Sequence, residues 1–329
     1  MYKKILFVIS VLAVLLCTTH LTFAHEVYVL TPATIHQDIT NPSPDPFSLI
    51  KTNQMEFFLG AMIGVILVVG VFLISISRRV ESAIDPLLMK IKRYAPIVAR
   101  LTLGLSLIAA AYYNALFGPE IPLPQLFGSH AMLVRIALYV IGILIVMGWY
   151  VWESAFVALL IFIAAVVMYH SYMLTYVNYL GEILINMILA GGVWKRKFEP
   201  YAFPILRVLF GISALYASWY AKLFHSQLAL DTVTQYHLTH YFHFAPLFVV
   251  LGALIIETLI GIFFILGIEI RFTALFFLMF LTLSLFYFGE VVWPHLILIG
   301  VNLVFIMHGY DKYSLEGRWF KKGKREPVL

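Results

Sequence analysis

A succession of apolar stretches, each about as long as a bilayer is thick, constrains this chain more than any motif does. A helix needs roughly 20 apolar residues to cross the hydrocarbon core. Such stretches fall at 57–77, 97–117, 131–152, 154–170 and 173–194, and four more follow between 204 and 309. The chain is 62% apolar and 12% charged, with a mean hydropathy of +0.93. Soluble domains carry about 25% charged residues. The expected fold class is therefore an all-α polytopic membrane protein whose immediate partner is the lipid bilayer. The net charge of +5 gives no argument for a nucleic-acid partner, because in such a protein the placement of Lys and Arg is what carries meaning.

The N-terminus reads as a secretory signal over 1–24: basic Lys3 and Lys4, an apolar core, then small or polar residues ending at Ala24. Cleavage there leaves His25 at the mature N-terminus; the alternative is an uncleaved first anchor. Cys17, the one cysteine, lies inside that signal. A mature chain without a thiol excludes disulfide exchange, iron–sulfur clusters, thiolate zinc and cysteine-attached haem, so no Cys-ligated cofactor is expected. Residues 25–53 form an exported arm, and 54–96 an anchor helix followed by an interfacial helix with Lys90, Lys92 and Arg93. Two four-helix units are expected at 97–197 and 198–316, with a basic tail at 317–329.

Counting sides gives nine mature spans, an outside N-terminus and a cytoplasmic C-terminus. The basic clusters at 78–93, 195–197 and 312–325 then share one side. The loops 118–130, 225–243 and 289–294 share the other and contain no Lys or Arg. This is the positive-inside pattern, and it places the protein in the plasma or inner membrane.

The two units look like copies. Residues 99–118 align without a gap on 206–225, matching Arg100 with Arg207, Gly104 with Gly211, Ser106 with Ser213, Tyr113 with Tyr220 and Phe117 with Phe224. Further on, 148–162 resembles 267–280 in its glycine, its short inner turn and its alanine. The copies differ where chemistry is possible: Lys222 stands against Ala115, and His225 against Gly118. The first copy has no carboxylate at the position facing Glu257, so an active copy would be the second. Internal repeats of this kind often house a membrane protein's site.

Over about 200–316 the chain resembles the DoxX/DoxD family of four-span membrane proteins. The resemblance rests on Arg207 and Gly211, Lys222 and Leu223, Glu257 with Gly261 and Gly267, Arg271, Glu290 and His295, and the closing Gly309, Ser314, Leu315 and Glu316. The 97–197 unit is a degenerate version. The resemblance implies quinone, sulfur-compound or oxidative-stress redox chemistry, and in one branch a subunit of thiosulfate:quinone oxidoreductase. A membrane or exported redox partner would then supply electrons.

A charge near the bilayer centre costs at least about 2.5–3.5 kcal/mol, so Glu257 is not expected to face lipid unpaired. Within a quinone-linked reading it is the candidate proton carrier. Lys222, Glu290 and His295 would orient a head group or an anionic sulfur substrate, and Arg207, Tyr220 and Trp293 are the further candidates to hold a quinone. Lys222 alternatively snorkels to the headgroups. A Lys222–Glu257 pair requires Glu257 to reach about two turns outward, or a shift between the helices. Arg207 and Arg271 also read as positive-inside anchors, and Glu182 and Arg135 as a structural ion pair.

The exported segment HLTHYFH offers a different chemistry. Positions i and i+3 share a helix face, so His237 and His240 can share copper or another transition metal, completed by His225, His295 or Glu290. His25 offers an amine and an imidazole of its own. Two further function classes thus stand beside the oxidoreductase subunit: a metal-handling or transport protein, and a scaffold whose buried charges only set helix register.

Overall fold

The computed structural model describes Leu30, residues 32–77, Leu88, and residues 90–240, 244–289 and 291–320. The expected signal and His25, most of the interfacial helix, His243, Glu290 and the tail beyond 320 lie outside the described residues. The described chain is helical throughout, with no strand and a single bridge between Ala115 and Pro122. Within it, α1 (Pro32–Thr40) and α2 (Gln54–Ser77) precede a first set comprising α3 (Ala95–Tyr113), α4 (Ala131–Met147), α5 (Val151–Tyr169) and α6 (Val177–Ala190). Then come α7 (Gly192–Trp219), the short helix α8 (Ser226–Gln235), α9 (Pro246–Leu266), α10 (Ile270–Phe288) and α11 (Leu296–His308).

Among the described residues, six helical stretches are long and apolar enough to cross a membrane, or seven if the bent pair Pro46–Thr52 and Phe57–Gly70 is one span. The expectation of nine counted apolar runs, not helix lengths. One of the six, Val151–Ala190, holds both α5 and α6, bent through a 3-10 stretch at His170–Tyr176. The helix α11 has only 13 residues, about 20 Å at 1.5 Å per residue, because a 3-10 turn at Trp293–His295 takes up the first part of its apolar run. Lys92, expected at the headgroups, is buried beside the inner end of α11.

Helices α3 to α6 pack in sequence, as do α7, α9, α10 and α11, and the sets meet where α6 lies along α7 and α11 along α3. Matched glycines set two of these crossings. A methyl on Gly104 or on Gly142 would stand 2.8 Å from the other's carbonyl oxygen, and one on Gly211 would stand 2.7 Å from that of Gly261. Close approach of this kind is how helices associate in lipid, where no hydrophobic force drives them together. Gly261→Leu is therefore expected to cost about 1–3 kcal/mol by overpacking. Gly252→Leu, on the same helix with nothing within 4 Å, should be neutral. Thermal unfolding of both variants in detergent checks this, and equal midpoints would remove the crossing from the account.

The short turns between α4 and α5 and between α9 and α10 match as well. Gly148 (φ 78°) and Tyr150 (φ 46°) join α4 to α5, while Gly267 (φ 70°) and Glu269 (φ 45°) join α9 to α10. An arginine guanidinium approaches each glycine, Arg100 at Gly148 and Arg207 at Gly267. Left-handed φ favours glycine because any Cβ is strained there. The second turn is further stitched by the chain's end: Glu316 N–H donates to the Gly267 carbonyl (3.0 Å), and Glu316 Oε2 accepts from the first N–H of α10 at Ile270 (3.0 Å). That carboxylate satisfies one of the donors a helix N-terminus leaves open.

Candidate functional site

At its C-terminal end α7 widens into a π turn at Tyr220–Phe224, a local irregularity that recurs at functional sites. The turn carries Lys222 into the bundle, where the residue is 5% exposed instead of snorkelling outward. Its Nζ lies 3.0 Å from Glu257 Oε2. Next to Glu257, Thr258 Oγ1 accepts from Trp219 Nε1 at 3.0 Å. This bond fixes α7 against α9, so a lysine one turn further out reaches Glu257 with its long stem. The separation apparent in the sequence is thus closed by side-chain length and the π turn.

The pair lines a cavity of about 690 Å³. His295 lines it too, 2% exposed, with Nδ1 3.2 Å from the Val291 carbonyl. The front unit contributes Asn178 and Tyr179, and α7 contributes Ser213, whose hydroxyl donates to the Thr175 carbonyl and lies 3.1 Å from Asn178 Oδ1. Mostly apolar side chains of α8, α9 and α10 form much of the remaining wall. On α10, Phe280, Leu283 and Tyr287 line the cavity and are also exposed on the bundle's outer surface at 37%, 62% and 46%. Packing between α9 and α10 is sparse, which makes this side a window facing the surroundings.

The front unit differs at the positions matched to this site. Phe117 and Phe224 are matched positions, yet Phe117 is 1% exposed and Phe224 is 52%. Phe117, at φ 62°, turns inward against Tyr179 at 4.3 Å and against Phe162 and Tyr176. Rings fill that bundle. Counting from the crossing glycines, Glu257 corresponds to Leu138, which is fully buried.

Of the residues expected at a site, Lys222, Glu257 and His295 come together, and Glu290 lies outside the described residues. Tyr220 stands beside the cavity, edge-on to Tyr172 and 4.7 Å from the His225 ring. Trp293 is buried in the core, stacked on Tyr113 at 5.1 Å. Arg207 lies at the inner end, bonded to Asp311 at 2.9 Å and to the carbonyls of Phe264 and Ile265. Glu182 and Arg135 do not pair: Glu182 accepts from Thr102 at 3.0 Å, while Arg135 donates to the Ala111 and Tyr112 carbonyls near the end of α3. The two sit at different depths of the first unit, which spacing along the chain did not reveal.

His237 and His240 stack with ring centres 5.2 Å apart. Burial holds the His225 imidazole below its usual pKa, and its ring is turned to Tyr220. Among the described residues no three His, Cys, Asp or Glu side chains gather as metal ligands. Beside the cavity, α1 packs on α8. There Asp38 has its pKa raised by burial and then by the facing Asp231 carboxylate. Asn178, Tyr179 and Ser213 were not expected at a site; Ser213 left one signal, its match to Ser106 in the repeat.

Comparison with protein-family models, with curated proteins and with solved structures finds no match for this chain.

Proposed function

We propose that the chain is a DoxX-like, quinone-interacting subunit of a membrane oxidoreductase, with its site in the second four-helix unit. The observation that carries the reading is the gathering of Lys222, Glu257 and His295 in one cavity of about 690 Å³ with an apolar side window. Ligand sites are commonly about 300–1,000 Å³, mostly apolar, with a few convergent polar groups. A quinone, a flat polar head on a lipophilic tail, fits that division.

Bound quinone supplies the electron-accepting chemistry, taking two electrons and two protons to become quinol. A partner subunit delivers the electrons from a reduced sulfur compound, such as thiosulfate oxidised pairwise to tetrathionate. In this reading Lys222 and His295 hold the ring oxygens, and Glu257 passes a proton to the head group. The apolar wall of α9 and α10 excludes water and takes the tail. The same proposal includes nine mature spans, an outside N-terminus, and an origin of the two units by duplication. The matched glycine crossings and inner turns support the duplication.

The test is purification in mild detergent, with extracted quinone and bound metal measured on one sample. Bound quinone and no stoichiometric metal is the expected result. Glu257→Gln should then abolish quinone-dependent turnover while the protein still inserts. Near one copper per chain would move the function to the exported histidines. Finding neither, with a tightly bound membrane partner, would leave a scaffold.

A further inference from the structure

Helix α6 carries a second set of buried polar groups that starts at the lining of the cavity and runs away from it. Asn178, Glu182 and Asn186 occur at i, i+4 and i+8, so they form one stripe. All three are buried, at 2%, 0% and 5% exposure. The stripe covers roughly 12 Å of depth at 1.5 Å per residue. At its outer end Asn178 and Tyr179 line the cavity. At its inner end Asn186 Nδ2 donates to the Ala99 carbonyl, in the first two turns of α3.

Glu182 stands between these ends, on the seam where α6 meets α3 and α7. Its side-chain partner is the Thr102 hydroxyl, which faces both carboxyl oxygens at 3.0 and 3.3 Å. From α7 it is Leu206 that approaches the neighbouring Gly181. No Lys, Arg or His is bonded to Glu182 among the described residues. A register-setting ion pair would have a cation; a lone carboxyl in a membrane interior is instead the usual mark of a proton relay.

We propose that Glu182 is a proton-exchanging group that supplies the cavity from the inner side of the bundle. It takes up a proton at the level of Asn186 and releases it past Tyr179 and Asn178, either to the reduced ring oxygen or to the Glu257 carboxylate. Each proton given up is one of the two that quinone consumes with two electrons from the partner. Glu257 serves the outer half of the path and Glu182 the inner half. The inference rests on the quinone reading of the cavity.

The experiment is infrared difference spectroscopy on the full chain in detergent, with a short-tailed benzoquinone reduced and reoxidised electrochemically. Binding of the same quinone is measured first. Wild-type protein should bind it and show a carboxyl band that changes with its redox state. Glu182→Gln should lose that band with the dissociation constant unchanged. Thr102→Val, which keeps the acid and removes its donor, should shift the band, giving a second readout should Glu182→Gln fail to fold. A structural role alone moves neither band. Binding without any band that responds to these two variants would overturn the relay and leave the cavity reading standing. No binding by wild-type protein would overturn the cavity reading, and the relay with it.

Discussion

Replacing Arg207 by Met is expected to destabilise the protein by about 3–5 kcal/mol, the cost of stranding one half of a buried ion pair. The side chains of Arg207 and Asp311 are 3% and 8% exposed and meet at 2.9 Å. The guanidinium also receives two carbonyls from the last turn of α9, those of Phe264 and Ile265. One planar cation therefore ties the inner ends of α7 and α9 to the chain's final described segment, and its removal leaves a carboxylate and two carbonyls buried together. Lysine should not restore stability, because a point charge cannot serve the three acceptors in the geometry of the guanidinium fork. The matched Arg100 is the control. Its Nε is buried without a partner, so Arg100→Met should change stability by less than about 1 kcal/mol. Unfolding midpoints in detergent distinguish the two; similar losses at both positions would mean that Asp311 adds nothing.

Lys222→Met is expected to weaken quinone binding about 10–100-fold, the equivalent of one hydrogen bond from a charged donor. The same change strands Glu257, which is 17% exposed at its side chain, so folding and binding must be separated. The double variant Lys222→Met, Glu257→Gln removes both charges and should recover the stability lost by the single one without recovering affinity. Quinone titrations on all three forms decide this. Unchanged affinity in the single variant would put the ligand elsewhere.

The helical membrane architecture was legible because bilayer thickness imposes a length on apolar runs. At the site the residue types were legible and their meeting was not. Glu257 and Lys222 each stood out as ionisable groups in or beside lipid. Whether they touch depends on a π turn and on a helix crossing, neither of which has a signature in the local spacing. Arg207 stood out equally, but its partner Asp311 lies 104 residues away, beyond any pattern of helix periodicity. Phe117 and Phe224 show the limit most clearly. The residue type is the same at both matched positions, and the surrounding backbone decides which one fills its bundle.

The exposed α10 edge formed by Phe280, Leu283 and Tyr287 has a consequence for how occupancy should be counted. A lipophilic molecule entering there arrives from the acyl chains, so the concentration that matters is its mole fraction in the membrane. Adding lipid or detergent at constant protein dilutes such a ligand even when the aqueous amount is unchanged. Titrations at different lipid-to-protein ratios should therefore collapse onto one curve only when plotted per lipid.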